Sequence, residues 1–462
     1  MTRTGWRLMA LGALLMMGAA QSAAQGPDGL TPNYPFSSFR FNFIYPGSRA
    51  TGMGQAFIAL GDDATGSETN PAGLTALVTP QLFIEGRLVD NTFEVLAPSA
   101  TDIRYQELDH RLFSPTFVSV VYPFRNWAFG AYRQELANYY VSPDPQTMTI
   151  PGVNVIYFNP DNPQPLQVLE FQSDIDIEAV NYGFSAAGRW GQRFNFGISI
   201  RRTQLSLKTL ETRATELLEP YVRFPEGDTR AVISRIEGDD WAWSWVGGFI
   251  LKPLDWLKLA GVYRSGSTHR FQAIFYENYL TPLGEPMRQD IPEFEINIPD
   301  RYGLGLAVMP TEQITLTLDV LRVEYGDMTH QFIEYIQTEF QDDYGYENGN
   351  ELHLGGEYTF FIRQTPVSLR GGYYTDADNT LHFLGDRGRN DLIHLAPGLD
   401  VPADEFFDDF PRAQAALFPK GDTDHHVTFG IGLTLKGHLQ TDFACDFSRD
   451  TDYVVFSVLY NF

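Results

Sequence analysis

The sequence contains little cysteine, little positive charge and few long apolar runs. Cys445 is its single cysteine, so no intramolecular disulfide can form. Lysine and arginine total 33 against 58 acidic residues, a net charge of −25 at pH 7, which argues against nucleic-acid binding. After the N-terminus, the longest apolar stretch, WAWSWVGGFIL at residues 241–251, is shorter than the roughly 20 residues of a transmembrane helix. The sequence therefore excludes a disulfide-bonded domain and a helical membrane span.

The N-terminus has the layout of a secretory signal peptide. Arg3 and Arg7 precede an uncharged, mostly apolar run over residues 8–20. The small residues Ser22 and Ala24 follow at the positions that precede a cleavage site. This pattern predicts a signal peptide over residues 1–24 and export of the remaining chain.

Strict alternation of apolar and polar residues is abundant. In ELHLGGEYTFF, at residues 351–361, Leu352, Leu354 and Tyr358 share one face of an extended chain. The stretches HVTFGIGLTL and RFNFGISI repeat the pattern. Alternation with a period of two is typical of β-strands with one apolar face. About fourteen such segments follow one another between residue 80 and the C-terminus, including single strands over 255–275 and 293–309.

Short and long connections alternate between these segments. Tight links such as YPFRNW and RWGQRF alternate with long ones such as residues 91–113 and 209–239. Outer-membrane barrels carry short turns at one end, long loops at the other and an even number of strands. The final strand, DYVVFSVLYNF, has an uninterrupted apolar face and ends on an aromatic residue, like the C-terminal signal by which such barrels are recognised for assembly.

The predicted fold class is therefore all-β: a transmembrane antiparallel up-and-down β-barrel of about 14 strands over residues 80–462. The predicted location is the outer membrane of a Gram-negative-type bacterium. Expected partners are outer-membrane lipid, lipopolysaccharide and, during biogenesis, the barrel-assembly machinery.

Residues 25–79 are predicted to form an N-terminal extension and a hatch, a loop and helix plug that fills the lumen. Asn70 suits a helix N-cap and Pro71 the first helical position, so a two-turn helix is expected up to Leu77, with Leu74 and Leu77 buried. The preceding stretch, GSRATGMGQAFIALGDDATG, is rich in glycine and permits close backbone packing.

The stretch GSRATGMGQAFIALGDDATGSETNPAGL, residues 47–74, resembles the N-terminal hatch of the outer-membrane transporters of hydrophobic compounds, the long-chain fatty acid and aromatic hydrocarbon channels. The hallmark of that family is Asn-Pro-Ala after an acidic, alanine-rich run, which Asn70, Pro71 and Ala72 match. Later segments, including IPDRYGLGLAVMPTEQITLTLDVLRVEYGDM and VSLRGGYYTDAD, are similar in style. Related barrels that act as carriers in protein secretion share the motif.

The resemblance implies a barrel closed by a hatch, in which a hydrophobic ligand enters from outside, binds and leaves through a gap in the wall into the membrane. The predicted function is passive uptake of hydrophobic small molecules, such as long-chain fatty acids or aromatic hydrocarbons, by a monomer. The alternative is a secretion-associated carrier or scaffold, and a general porin would need an open lumen. The predicted hatch and gating residues are Gly52, Gly54, Asp62, Asp63, Asn70, Pro71 and Ala72.

An aromatic run precedes the hatch, where family members thread their N-terminus into the barrel near the ligand. Phe36, Phe39, Phe41 and Phe43 are accordingly the predicted ligand-binding residues. Alternatively, the last three alternate as an apolar ridge that anchors the hatch to the wall. The inward-facing residues of the final strand are mixed rather than polar, which favours an apolar lumen.

Neither catalysis nor a cofactor is predicted. The sequence has no exposed-serine elbow, zinc signature or phosphate loop, and Ser368, His382 and His394 are scattered candidates for an enzyme. No catalytic residue is assigned.

No metal site is predicted either. His425 and His426 face opposite sides of a strand, so with Asp422 and Asp424 they are expected to form a solvated loop end. The acidic stretch at residues 400–410 is expected to coordinate divalent ions that bridge to lipopolysaccharide, or to be solvated.

Overall fold

The structure is a computed structural model that describes residues 41, 43–97, 104–141, 146–155, 164–214, 230–277, 287–328, 344–384, 420–449 and 451–462. The predicted signal peptide and the acidic stretch at residues 400–410 lie outside these ranges. In the part of the chain that is described, helices long and apolar enough to cross a membrane are absent.

Most of the described chain is extended. The strands are β1 (Gln81–Ala97), β2 (Arg104–Phe124), β3 (Trp127–Val141), β4 (Gln146–Val155), β5 (Gln164–Trp190), β6 (Phe194–Ala214), β7 (Arg230–Leu254), β8 (Leu257–Arg264), β9 (Ser267–Glu277), β10 (Met287–Ile298), β11 (Arg301–Thr311), β12 (Ile314–Val323), β13 (Tyr344–Gly345), β14 (Gly349–Ile362), β15 (Thr365–Asp376), β16 (His382–Phe383), β17 (Asp424–Leu435), β18 (Leu439–Phe447) and β19 (Thr451–Asn461).

Fourteen wall strands close into an antiparallel barrel. Consecutive wall strands pair with each other, and β1 pairs with β19 from Gln81 opposite Asn461 to Asn91 opposite Thr451, which closes the sheet. β8 and β9 form one wall strand with a break, and so do β10 and β11. β4 extends the β3–β5 hairpin, and β13 pairs with β16. The predicted fold class is confirmed.

The wall has one apolar face because lipid and lumen alternate along each strand. In β19, Phe456 and Tyr460 are exposed on the outside, whereas Val455, Ser457 and Leu459 are buried on the inside. The short turns lie at one end of the barrel and the long connections at the other, so the short-turn end is the periplasmic one.

The strands extend further than the alternation predicted. β1 and β2 pair up to Ala97 and Arg104, and β6 and β7 pair up to Ala214 and Arg230. Most of the predicted long connections at 91–113 and 209–239 are therefore wrong. Above the membrane, no lipid imposes an apolar face, so the backbone ladder continues without the sequence pattern that reveals it.

Two strands that were predicted to be continuous are broken at the same level of the wall. The predicted strands over 255–275 and 293–309 are interrupted between β8 and β9 and between β10 and β11. The Gly266 amide donates to Asp300 Oδ1 at 2.6 Å, and a Cβ at Gly266 would overlap the Ile298 carbonyl oxygen. Gly266 and Pro299 are the local signals that mark the break.

The segment before β1 contains α1 (Ser48–Gly52), α2 (Gly66–Thr69) and a 3-10 helix (Pro71–Ala76), and a second 3-10 helix, Tyr325–Met328, follows β12. As predicted, Asn70 caps the Pro71 helix: its Oδ1 accepts from the Ala72 amide at 3.2 Å. The helix is tighter than predicted because the Gly73 amide bonds to the Asn70 carbonyl, an i to i+3 bond of 2.9 Å. Leu74 and Leu77 are buried, as predicted.

Candidate functional site

The hatch, residues 43–80, is surrounded by wall strands. Polar side chains of four strands on different sides of the barrel bond to it. Ser119 of β2 donates to the Ala64 carbonyl at 3.0 Å, Ser185 of β5 donates to the Ser67 carbonyl at 2.6 Å, the Ile58 amide donates to Asp319 of β12 at 2.8 Å, and the Gly54 amide donates to Thr428 of β17 at 3.0 Å. Because these strands face one another across the lumen, the hatch lies inside the barrel.

Inward-facing glycines of the wall let the hatch backbone touch the wall backbone. A Cβ at Gly372 of β15 would overlap the Gly54 amide nitrogen, and a Cβ at Gly197 of β6 would overlap the backbone of Pro71. The hatch backbone approaches Gly305, Gly355 and Gly430 in the same way, whereas Gly248 and Gly303 face the hatch side chains of Asn70 and Ile58. At this level the space between hatch and wall is filled by direct backbone contact, which we call the glycine seal.

Several predicted gating residues take part in the glycine seal. Gly52, at the end of α1, lies where its added Cβ would be 3.0 Å from the Gly430 Cα. Gly54 has a φ of 59° and packs against the Leu354 carbonyl of β14, a position at which only glycine avoids both strain and overlap. Ala72 packs against Gly197.

Arg49 of α1 fastens the hatch to the wall electrostatically. Its guanidinium donates from Nε and Nη2 to the two carboxylate oxygens of Glu357 on β14, at 3.1 and 3.0 Å, and from Nη1 to Asp62 at 2.7 Å. Arg370 of β15 also binds Glu357, at 2.7 Å, and Asp442 at 2.6 Å. We call this group of five side chains the charge clamp.

The two predicted gating carboxylates differ in their electrostatics. Burial favours the neutral form of Asp62, but Arg49 and, at 3.4 Å, Lys258 outweigh it and hold the pKa of Asp62 well below its usual range. Burial raises the pKa of Asp63, and Arg49, 3.9 Å away, offsets this only in part. Asp63 accepts instead from the amide of Thr65 at 2.9 Å, ahead of α2. Asp62 therefore acts in binding the hatch to the wall, and Asp63 in the local hatch turn.

Asn70 ties the hatch both to itself and to the wall. Its Nδ2 donates to the Ile58 carbonyl at 2.9 Å and, more weakly, to the Phe249 carbonyl of β7 at 3.4 Å. Its side chain is fully buried.

We expect Asn70→Ala to loosen the hatch while leaving the amount of folded protein unchanged. Loss of an N-cap typically costs about 0.5–2 kcal/mol, and the strand ladder of the wall is untouched. Folded protein is measured by heat-modifiable gel migration, and uptake of a hydrophobic substrate and leakage of a small polar solute are measured in the same cells. Asn350→Ala, an exposed position on β14, is the control. Normal abundance with normal transport and no added leak would remove Asn70 from gating.

An apolar cluster lies beyond the hatch, on the long-loop side. On β3, Gly130 meets the hatch near the periplasmic end, whereas Leu136 and Tyr139, further along, belong to this cluster. We call it the outer apolar cluster; its wall members include Ile177, Ala179, Leu205, Leu207, Phe271, Ile296, Ile298 and Val323, and it is completed from the extracellular connections by Tyr325, Met328, Tyr346 and Leu381.

The described predicted ligand residues lie in this cluster. Phe41 is buried there, and Phe43 packs against it, with ring centroids 5.8 Å apart. Phe43 also stacks on Tyr325 at 6.2 Å. Both rings thus lie at the outer apolar cluster, an arrangement compatible with ligand contact and with anchoring. Phe36 and Phe39 lie outside the described residues.

Three arginines line a small cavity beside Phe43, with room for about one water molecule. Arg201 and Arg264 lie 3.8 and 3.4 Å from the Glu68 carboxylate of α2. The Arg301 guanidinium lies 4.0 Å from the Phe43 ring centroid and donates to the Phe43 carbonyl at 3.0 Å. We call this group the arginine pocket.

Positive charge exceeds negative charge in the arginine pocket. Within the described residues, Glu68 is the carboxylate that pairs with Arg201 and Arg264, and Arg301 pairs with none. Tyr45 accepts a bond from Arg264, but burial raises the pKa of Tyr45 to about 12, although Arg264 opposes this, so the phenol stays neutral at physiological pH. A buried, unmatched guanidinium is costly unless an anion joins it.

The expectation of an apolar lumen is therefore only half right. The outer apolar cluster fits it, but the hatch level is lined by the charge clamp and the arginine pocket. The prediction of a solvated loop end fits His425 and Asp422, which are exposed. It is wrong for His426 and Asp424, whose side chains are buried on the face of β17 that points into the barrel lumen. His426 Nδ1 lies 2.9 Å from Asp446 on β18.

Arg49, Glu68 and the arginines of the pocket were not predicted from the sequence. Each is a charged residue in a segment whose neighbours are apolar or small, and Arg264 and Arg301 fall on the inward positions of their strands. A charge on the inward face of a half-apolar strand was the available signal. Glu68 lies more than a hundred residues from Arg201 and Arg264 in sequence, and Glu357 lies as far from Arg49, so these pairings could not be predicted.

The scattered enzyme candidates do not converge where they are described. Ser368 bonds to Thr359 at 2.8 Å, and His382 bonds to the Thr380 carbonyl at 3.1 Å in the extracellular connection after β15. His394 lies outside the described residues.

The family described as Outer membrane protein transport protein (OMPP1/FadL/TodX) matches residues 166–380, and it is a family of transport proteins. No curated protein sequence matches the chain.

Solved structures of the same architecture include a Pseudomonas aeruginosa FadL homologue, with a TM-score of 0.60, 12% identity, and coverage of 92% of this chain and 99% of that one. The CymD monoaromatic hydrocarbon channel has a TM-score of 0.57 and 13% identity, with coverage of 92% and 99%. The Ralstonia pickettii toluene transporter TbuX has a TM-score of 0.55 and 13% identity, with coverage of 91% and 99%. The predicted resemblance of this chain to the outer-membrane transporters of hydrophobic compounds, and its predicted outer-membrane location, are confirmed.

Proposed function

We propose that this protein carries hydrophobic small molecules that bear an acidic headgroup, such as long-chain carboxylates, across the outer membrane. The observation that carries this proposal is the arginine pocket at the inner edge of the outer apolar cluster. An apolar tail gains about 0.8 kcal/mol per buried methylene in the cluster. The headgroup pairs with Arg301, which a neutral hydrocarbon leaves unmatched.

Ligand exit is lateral in this proposal. The glycine seal and the charge clamp oppose passage past the hatch towards the periplasm. Release through the wall into the membrane also keeps the tail out of water. The hatch residues gate this step by setting how firmly the hatch is held.

The proposal also covers the oligomeric state, the cofactor requirement and the membrane partners of the protein. The protein acts as a monomer without a cofactor, it is assembled by the barrel-assembly machinery, and it contacts membrane lipid and lipopolysaccharide with its outer face. It performs no catalysis.

We expect wild-type protein to bind a long-chain carboxylate more tightly than its methyl ester, and Arg301→Gln to remove that preference. Loss of a hydrogen-bonded charge pair corresponds to about tenfold in affinity for the carboxylate, with little change for the ester. Binding of both probes to purified protein in detergent is measured by competition with one fluorescent ligand. Arg322→Gln is the control, because Arg322 faces outward and pairs with Glu324 at 2.9 Å.

The ratio of the two affinities is independent of a general loss of stability, since both probes use the same protein. If the ratio of carboxylate to ester affinity is the same in Arg301→Gln as in wild type, the proposal that the ligand carries an acidic headgroup is wrong. Failure of wild-type protein to bind either probe would overturn the transport of hydrophobic molecules itself.

A further inference from the structure

The outward face of β6 changes abruptly from apolar to polar. Counting away from the short periplasmic turn, Phe196, Ile198 and Ile200 are exposed on the outside, and Arg202 is the next residue on that face. Gln204 follows it. A band of outward apolar side chains marks the hydrocarbon core of the membrane. Arg202 therefore lies at the outer interface, at the level of lipid headgroups.

Neighbouring strands place aromatic rings and a second arginine in the same row. The register sets Arg133 of β3 opposite Tyr182 of β5, Tyr182 opposite Arg202, and Arg202 opposite Trp243 of β7. Tyr182 and Trp243 are exposed, which fits the aromatic belt that barrels carry at membrane interfaces. Two strand spacings separate Arg133 from Arg202, about 10 Å.

The aromatic rings hold the Arg202 guanidinium. Its central carbon lies 4.8 Å from the ring centroid of Trp241 and 5.6 Å from that of Trp243. Tyr182 stacks on Trp241 with centroids 5.8 Å apart. Such contacts use the face of the guanidinium and leave the N–H groups at its edge for hydrogen bonds.

Other outward arginines near this interface pair with a carboxylate, whereas Arg202 does not. Arg111 lies 2.5 Å from Asp90, Arg270 lies 2.8 Å from Glu295, and Arg322 lies 2.9 Å from Glu324. Across the described ranges, Arg202 forms no ion pair. The chain as a whole has a net charge of −25, so a cation without an acidic partner is unusual at this interface.

We propose that Arg202, with Trp241, Trp243 and Tyr182, binds a phosphate group of an outer-leaflet glycolipid. A guanidinium presents parallel donors that match phosphate oxygens. The exposed rings offer apolar faces to the sugar that carries the phosphate.

Arg133 provides a second, weaker contact for a headgroup with two phosphates. Its Nη1 donates to the Pro115 carbonyl at 2.8 Å and its Nη2 lies 3.9 Å from Glu178, so it is partly engaged within the protein. The site is therefore built around Arg202, and Arg133 extends it.

The test uses full-length protein purified in a neutral detergent, with lipid A as the probe and native mass spectrometry as the readout. Wild-type protein is expected to retain lipid A, and Arg202→Gln to bind it about tenfold more weakly. Trp243→Leu is expected to weaken binding as well, because it frees the guanidinium. Arg322→Gln is the matched control and should behave as wild type. Heat-modifiable migration confirms that each variant is folded.

Two further arms identify the ligand. Lipid A from which both phosphates have been removed should bind wild-type protein and Arg202→Gln equally. Inorganic phosphate at millimolar concentration should not displace lipid A, because the lipid also contacts the rings. Equal lipid A binding by wild type and Arg202→Gln, or full displacement of lipid A by inorganic phosphate, would overturn the proposal.

Discussion

A valine at Gly372 should open the barrel to small polar solutes, whereas a valine at Gly371 should not. The added Cβ at Gly372 would overlap the Gly54 amide and crowd Met53, so the hatch turn must leave the wall. At Gly371 the nearest atom beyond the chain neighbours is the Thr428 carbonyl oxygen at 4.0 Å. Gly371 and Gly372 are adjacent residues of β15, and valine has a high intrinsic preference for β-strands. Single-channel conductance in planar bilayers measures the opening, and we expect a severalfold increase for Gly372→Val.

The neighbouring strand repeats the comparison and serves as its control. Gly355 of β14 faces the same hatch turn, and its Cβ would overlap the Met53 carbonyl oxygen. A Cβ at Gly356 would make only ordinary contacts, with the Leu316 side chain at 3.7 Å and the Gly371 carbonyl oxygen at 3.9 Å. Gly355→Val should therefore act like Gly372→Val, and Gly356→Val like wild type. If folded Gly372→Val and Gly355→Val both conduct as wild type does, the glycine seal does not close the lumen.

The transmembrane strands could be predicted because lipid imposes a requirement on every second residue. That requirement is visible in segments such as Leu352 to Tyr358, whichever strand they pair with. Above the membrane it disappears, and the extensions of β1, β2, β6 and β7 were predicted as connections. The break near Gly266 and Pro299 depends on backbone contacts between two neighbouring strands. The sequence of either strand alone does not reveal these contacts.

The candidate site could be predicted only at its hatch. Asn70 and Pro71 carry a local signal, since an N-cap and a first-turn proline act within one helix. The glycine seal and the charge clamp are contacts between distant segments, such as Arg49 with Glu357. A glycine in a strand indicates close approach without naming the neighbour. The partners follow from closure of the barrel around the hatch, which a single sequence does not specify pair by pair.

Arg49→Gln should release the hatch without unfolding the wall. Arg49 is the hatch cation of the charge clamp, and its removal leaves Glu357 and Asp62 with one partner each, Arg370 and Lys258. Breaking a buried ion pair costs about 3–5 kcal/mol. Because the Arg49 side chain is 19% exposed and both carboxylates keep a partner, we expect a cost below that range, about 2–3 kcal/mol.

The clamp should also be insensitive to pH near neutrality. The pKa of Asp62 is held below its usual value by Arg49 and Lys258, which outweigh burial. A lowered folded-state pKa gives stabilisation that is complete above the ordinary carboxylate pKa, about 3.9, and is lost as the pH falls towards the folded value. The contribution of the charge clamp, measured as the ratio of Arg49→Gln to wild-type conductance, should therefore stay constant between about pH 5 and pH 8.

The measurement for Arg49→Gln is the reaction rate of a single cysteine at Ser48, which is fully buried beside Arg49, with Cys445 replaced by serine. When labelling requires hatch opening, a loss of about 2–3 kcal/mol raises its rate by roughly 30- to 150-fold. Arg111→Gln is the control, because its pair with Asp90 is surface-exposed and contributes little. Arg49→Lys separates charge from geometry: it keeps the cation but loses the two parallel bonds to Glu357, so it should fall between Arg49→Gln and wild type. Equal labelling of wild type and Arg49→Gln, with both folded, would mean that backbone packing at the glycine seal holds the hatch without help from the charges.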